Sequence, residues 1–117
     1  MSHTVLLVED EEELRESMRD ALEMEGYDVV AATDGLDALE RLEHIEHVCI
    51  VLLDLLMPRM DGWEFFEKFR ARPELAAVPV IVHSSAPSRA PAGVTKVLQK
   101  PLQIDRLLDV VREYCAA

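Results

Sequence analysis

The feature that most constrains this chain is the run Cys49-Ile50-Val51-Leu52-Leu53, which passes directly into Asp54-Leu55-Leu56-Met57-Pro58-Arg59-Met60-Asp61-Gly62. A continuous apolar run of this length fits a strand buried on both faces, as in a parallel sheet. An acid inside such a strand would be costly to bury, so Asp54 is expected at its carboxyl end, where water or a cation reaches it. Ligands of open α/β sheets bind at that edge. The plainer alternative is a carboxylate that merely caps a loop.

The rest of the chain repeats the pattern. Thr4–Val8 is a short β-branched and apolar run ending in Glu9-Asp10-Glu11-Glu12-Glu13. The last three acids suit the first turn of a helix, set against its positive end. Glu9 and Asp10 finish a buried strand and need another reason. Leu14, Met18, Ala21, Leu22 and Met24 then recur mostly at helical spacings until Gly26. Asp28–Ala32 reads as a second strand. Thr33 or Asp34 caps a helix from about Gly35 to Leu42, with Leu36, Leu39 and Leu42 inward and Asp34 and Asp37 at the surface. Asp61 caps a third helix through about Arg72, which places Trp63, Phe66 and Phe69 in the core. Pro79–Ser84 and Thr95–Gln99 are the fourth and fifth strands, and Lys100-Pro101 closes the fifth. The last helix carries Ile104, Leu107, Leu108, Val111 and Tyr114 on one face. Strands alternating with helices predict a parallel sheet with helices on both faces. The 117 residues suit one domain, 1–117.

Charge and composition remove several functions. The net charge of −11, from 23 acids against 12 bases, disfavours nucleic acid and anionic lipid. No apolar run approaches the roughly 20 residues that span a bilayer. Met1-Ser2-His3 leads straight into a strand, so no signal peptide is expected, and the chain ends about where its last helix ends, so neither is an output domain. Cys49 and Cys115 are expected as two free thiols in a reducing cytoplasm. His3, His44 and His47 lack metal-ligand spacing, and His83, by alternation with Ser84, is expected to be a partly buried strand residue pointing away from Ser84. Acids, not a Gly-rich loop, follow the first strand, which argues against a dinucleotide enzyme.

Placed side by side, the carboxyl ends of the strands supply Glu9 and Asp10, Asp54, Ser84 and Lys100. Three carboxylates at one edge would take up protons unless a cation neutralised them. Oxygen ligands in this number suit a hard divalent ion such as Mg²⁺. A lysine can pair with Asp54 or with an anion attached to it, and the Ser84 hydroxyl can donate to that anion. Together these groups suit phosphoryl transfer, in which charge spreads over equatorial oxygens.

These residues resemble the CheY-like receiver domains of two-component response regulators. The resemblance rests on Val8-Glu9-Asp10-Glu11, Asp54-Leu55-Leu56-Met57-Pro58 with Met60-Asp61-Gly62, Ser84-Ser85 and Lys100-Pro101, and it covers essentially the whole chain. It implies a flavodoxin-like (βα)5 three-layer sandwich: a parallel five-stranded sheet of order 2-1-3-4-5, flanked by five helices. It implies that Asp54 is the phosphoacceptor, taking its phosphoryl group from a sensor histidine kinase or phosphotransfer protein. Glu9, Asp10, Asp54 and the backbone carbonyl of Leu56 would hold Mg²⁺. Lys100 would pair with the phosphoryl group and precede a cis peptide bond, and Ser84 would be the switch hydroxyl. Such a domain is a signalling acceptor reset by slow hydrolysis, not a conventional turnover enzyme, and its downstream partner is unspecified.

The chain departs from the family's pattern at three places. Glu9 stands where Asp is commoner, and Val97 where many receivers carry Tyr or Phe. Only Ser85–Val94 remain for the crossover between the last two strands, and they include Pro87, Pro91 and Gly93. A parallel crossover usually needs about a dozen residues with its helix, and a proline inside a helix costs roughly 3 kcal/mol. The family's fourth helix is therefore predicted to be missing or reduced to one turn. The short crossover and Val97 motivate an alternative, a phosphorylation-independent protein–protein interaction module on a receiver scaffold. A metal-dependent phosphatase falls behind both, because Leu56 occupies the place where such enzymes carry a second acid.

Overall fold

A computed structural model describes residues 3–115 of the chain. Met1 and Ser2, on which the reading of the N-terminus rests, lie outside the described residues. Five parallel strands form one sheet in the order β2-β1-β3-β4-β5: β1 (Thr4–Val8), β2 (Asp28–Ala32), β3 (Val48–Asp54), β4 (Val80–Ser84) and β5 (Lys96–Gln99). The helices are α1 (Glu12–Met24), α2 (Gly35–Leu42), α3 (Gly62–Arg70) and α4 (Ile104–Tyr114). The apolar run of β3 is buried on both sides from Ile50 to Asp54, as its composition requires.

Side chains alternate along each strand and sort into two cores. Leu7, Ile50, Leu52 and Ile81 face α1 and α4, where they meet Met18, Leu22, Leu107 and Val110. Leu6, Val51, Leu53 and Val82 face α2 and α3, where they meet Ala38, Leu42, Phe65 and Phe69. Between β4 and β5 there is a single 3-10 turn, Pro87–Arg89, as the two prolines demand. Ala90, Val94 and Val97, all partly buried, cover the sheet there in place of a helix.

Several side chains depart from the sequence expectation. Met24 and Leu36 are exposed, 87% and 43%; the faces their helices bury run through Met18 and Leu22 and through Ala38 and Leu42. Trp63 is only partly buried, and the fully enclosed aromatic beside Phe69 is Phe65, a step off the threefold spacing. The indole N–H of Trp63 donates to the Arg89 carbonyl at 2.8 Å, and the Arg89 guanidinium lies over the ring. The two cysteines are not free thiols. Because α4 returns across β3, Cys115 comes within 5.7 Å (Cα–Cα) of Cys49 and the two form a disulfide. Their separation of 66 residues hides that proximity in the sequence.

Candidate phosphoryl-acceptor site

The site is the carboxyl edge of β1, β3, β4 and β5. Asp54 ends β3, 5% exposed, and its Oδ1 accepts the Leu55 N–H at 2.9 Å and Lys100 Nζ at 3.3 Å. Glu9 follows β1 directly and is fully buried. Its Oε1 accepts Lys100 Nζ at 3.1 Å, and its Oε2 accepts the Glu11 N–H at 2.9 Å. One ammonium therefore bridges two buried carboxylates. Lys100 reaches them from the end of β5, where its own N–H bonds the Ser84 carbonyl and its peptide bond to Pro101 is cis, as expected. Asp10 lies exposed at the rim, and Leu56, 58% exposed, is the second residue of the loop beyond Asp54.

The electrostatics follow from this geometry. Burial pushes Glu9 up to about 7, against the Glu11 N–H, with the Asp54 charge pushing the same way. Burial also raises Asp54; Lys100 opposes this, and the neighbouring Asp10 carboxyl adds to it. Burial pulls Lys100 down, but Glu9 and Asp54 outweigh that and raise it overall. Two acids held up by burial, with one lysine between them, are the oxygen-rich, charge-deficient surroundings that suit a hard divalent cation.

Ser84 is buried, and its Oγ accepts the Ala86 N–H at 3.0 Å, so the hydroxyl is turned toward the crossover. Its neighbour His83 belongs to the site. His83 is 1% exposed, its Nε2 lies 3.0 Å from Glu9 Oε1, and it offers a ligand atom within 4.8 Å of those of Glu9 and Asp54. His83 does point away from Ser84, but that is the side where the acids stand. The β3–β4 register pairs Asp54 with His83, and paired residues of parallel strands face the same way. Aligning the strand ends, not the hydroxyl, is the signal that finds it. Burial first, and then Lys100, pull the imidazole down to about 3, so at neutral pH its contact with Glu9 is a hydrogen bond and not an ion pair.

The loop after Asp54 is braced from two sides. The Gly62 N–H donates to the Leu55 carbonyl at 2.8 Å, and a side chain at Gly62 would run into the Asp54 carbonyl and Leu55 Cα. This explains the glycine after Asp61, which caps α3 by accepting the Glu64 N–H as expected. Arg59 adopts φ 63 and grips Asp34 through two bonds of 2.6 and 3.1 Å. Asp34 is thus not a surface residue: it is 3% exposed, caps α2 through the Asp37 N–H, and ties that helix to the loop. Burial would raise its pKa, yet the Arg59 bonds and backbone N–H groups hold it below the ordinary value.

Residues 5–112 match the family described as the response regulator receiver domain. The response regulator MprA of Mycobacterium tuberculosis is 33% identical over 116 residues, covering 96% of this chain and 50% of MprA. The chain spans about half the length of the curated relatives it matches. The receiver domain of the hybrid histidine kinase CckA superposes with a TM-score of 0.82 at 32% identity, over 96% of this chain and 98% of that one. A response regulator receiver protein from Pseudomonas putida gives 0.86 at 28% identity, over 97% and 98%.

Proposed function

Because the chain belongs to the response regulator receiver family of two-component signalling, we propose that Asp54 is its phosphoryl acceptor, and that residues 1–117 form one receiver domain. The observation that carries this reading is the single ammonium of Lys100 bridging buried Glu9 and Asp54 at the carboxyl edge of the sheet. The donor is a phosphohistidine on a sensor histidine kinase or phosphotransfer protein. A net charge of −11 favours protein partners over nucleic acid for this domain.

In the reaction an Asp54 carboxylate oxygen attacks phosphorus in line with the P–N bond. The P–O bond forms as the P–N bond breaks, and the departing imidazole nitrogen keeps the electron pair and takes up a proton. Lys100 follows the negative charge from the free carboxylate to the phosphoryl oxygens. Ser84 gives up the Ala86 N–H and donates its own O–H to the phosphoryl group, so acylphosphate formation loosens the start of the crossover. Glu9, Asp10, Asp54 and the Leu56 carbonyl would hold Mg²⁺, which when bound supplies charge neutralisation for the phosphoryl oxygens. Hydrolysis of the new P–O bond by water regenerates Asp54, so the domain is a resettable acceptor.

Incubation with Mg²⁺ and acetyl phosphate, followed by intact-mass measurement, tests this. Wild type gains one phosphoryl group and Asp54→Ala gains none. An unmodified wild type, or an equally modified Asp54→Ala, sinks the reading.

A further inference from the structure

His83 contributes a buried polar group that the phosphoryl-transfer scheme leaves unused. Its Nδ1 is the one buried side-chain polar atom without a hydrogen-bond partner among the described residues. An orphaned buried N–H is rarer and costlier than an under-satisfied acceptor. The ring proton therefore sits on Nε2, which donates to Glu9 Oε1 at 3.0 Å. With that proton in place the nitrogen has no lone pair for a metal, and Lys100 Nζ already sits on the same oxygen.

The consequence appears when the bonds of Glu9 are followed through the reaction. Oε1 has two donors, His83 and Lys100, and Oε2 has the Glu11 N–H. If Lys100 turns to a phosphoryl group on Asp54, a fully buried carboxylate loses a donor. With His83 present, each oxygen still has one protein donor. Without it, Oε1 would keep no protein donor, and only a bound Mg²⁺ could compete with Glu9 for the lysine, which would be held back there.

We propose that His83 is a positioning residue for the Asp54 reaction: its Nε2–H keeps Glu9 satisfied so that Lys100 is free to pass to the phosphoryl group. This rests on Asp54 being the acceptor. It also ties Glu9, after β1, to the strand that ends in the switch hydroxyl of Ser84.

The test uses His83→Gln, which retains a donor near the Nε2 position, and His83→Leu, which has none. Initial rates of adduct formation with acetyl phosphate are measured by intact mass at saturating Mg²⁺. Mg²⁺ affinity is followed separately by Trp63 fluorescence, and folding is checked by thermal unfolding, with His83→Met replacing His83→Leu if the latter does not fold. The leucine variant is expected to be slowed about tenfold at saturating Mg²⁺, with its Mg²⁺ dissociation constant within about twofold of wild type, and the glutamine variant to recover to within about threefold. A wild-type rate in the leucine variant, or a glutamine variant as slow as leucine, overturns the positioning role. A loss confined to the Mg²⁺ dissociation constant also overturns it, because it makes His83 a metal ligand. A wild type that forms no adduct is a different failure, that of Asp54 as acceptor, and it removes the inference with it.

Discussion

The two faces of the sheet are built differently. The face toward α1 and α4 is clad by two full helices and cross-linked by Cys49–Cys115. The opposite face is clad by α2 and α3 over β1, β3 and β4, but toward β5 by the crossover turn and a few partly buried side chains. The functional groups divide along the same line. Glu9, Asp54, His83 and Lys100 continue the alternation of Leu7, Leu52, Ile81 and Leu98, on the helix-clad side. Ser84 continues that of Val80 and Val82, on the thinly covered side. The two carboxylates and His83, which hold the site while Lys100 shifts between its partners, thus stand over the packing of two full helices. The hydroxyl that must move is bonded to the start of the short crossover, through the Ala86 N–H.

The largest expected effect tests the packing itself. Leu107 is fully buried under α4, so Leu107→Ala should cost about 2–5 kcal/mol in urea unfolding. Val94 is only partly buried in the crossover, and Val94→Ala should cost about 1 kcal/mol or less. Equal losses would dissolve the distinction between the faces. Next in size is the disulfide. Closing a 66-residue separation, it should contribute about 2–4 kcal/mol, read as the difference in unfolding free energy between wild type and a Cys49→Ser, Cys115→Ser double variant. No difference would mean that helix packing alone supports this face.

Much of this arrangement was legible in the residues. The run into Asp54, the acids after β1 and the lysine before Pro101 are local patterns, and each sits at a strand end where the sheet brings them together. The prolines of the crossover likewise forbid a helix without any tertiary information. Long-range pairing was not legible. Cys49–Cys115 depends on where α4 returns across β3, and Asp34–Arg59 on how the loop after Asp54 meets α2. His83 was misplaced for a subtler reason: alternation was referred to Ser84, whereas the β3–β4 register puts the acids on the other parity.

The Glu9–His83 contact gives a pH test of the helix-clad side, measured by urea unfolding without divalent metal. Glu9 rises from 4.5 to about 7 on folding, so between those values the native state binds more protons than the unfolded one, and stability is lost as pH rises. His83 falls from 6.5 to about 3, so below 6.5 the unfolded state binds the extra proton, and stability is lost as pH falls. The causes of the two shifts are burial and Lys100 or Asp54, not each other. In wild type they should therefore cancel between pH 4.5 and 6.5. His83→Gln should become more stable as pH falls through that window and Glu9→Gln less stable, each by at most about 1.4 kcal/mol per unit. Slopes of the same sign in the two variants would show that the two groups do not titrate as opposed partners.

The smallest effect addresses the thin side. Trp63 ties α3 to the crossover by a polar contact, one hydrogen bond to the Arg89 carbonyl with the Arg89 guanidinium over its ring, beside the apolar packing of Phe66. Trp63→Phe keeps an aromatic ring beneath Arg89 but removes the indole donor, so global stability should fall by only about 1 kcal/mol. The informative readout is local. Amide exchange at Arg89 and Ala90, whose N–H groups bond Ala86 and Pro87 within the turn, should accelerate, while exchange at Leu107 in α4 stays at its wild-type rate. Acceleration at both sites would mean that the two faces open as one cooperative unit. Acceleration at neither would mean that the turn is held by its own hydrogen bonds rather than by α3, so that a change at Ser84 would have no hinge to act on.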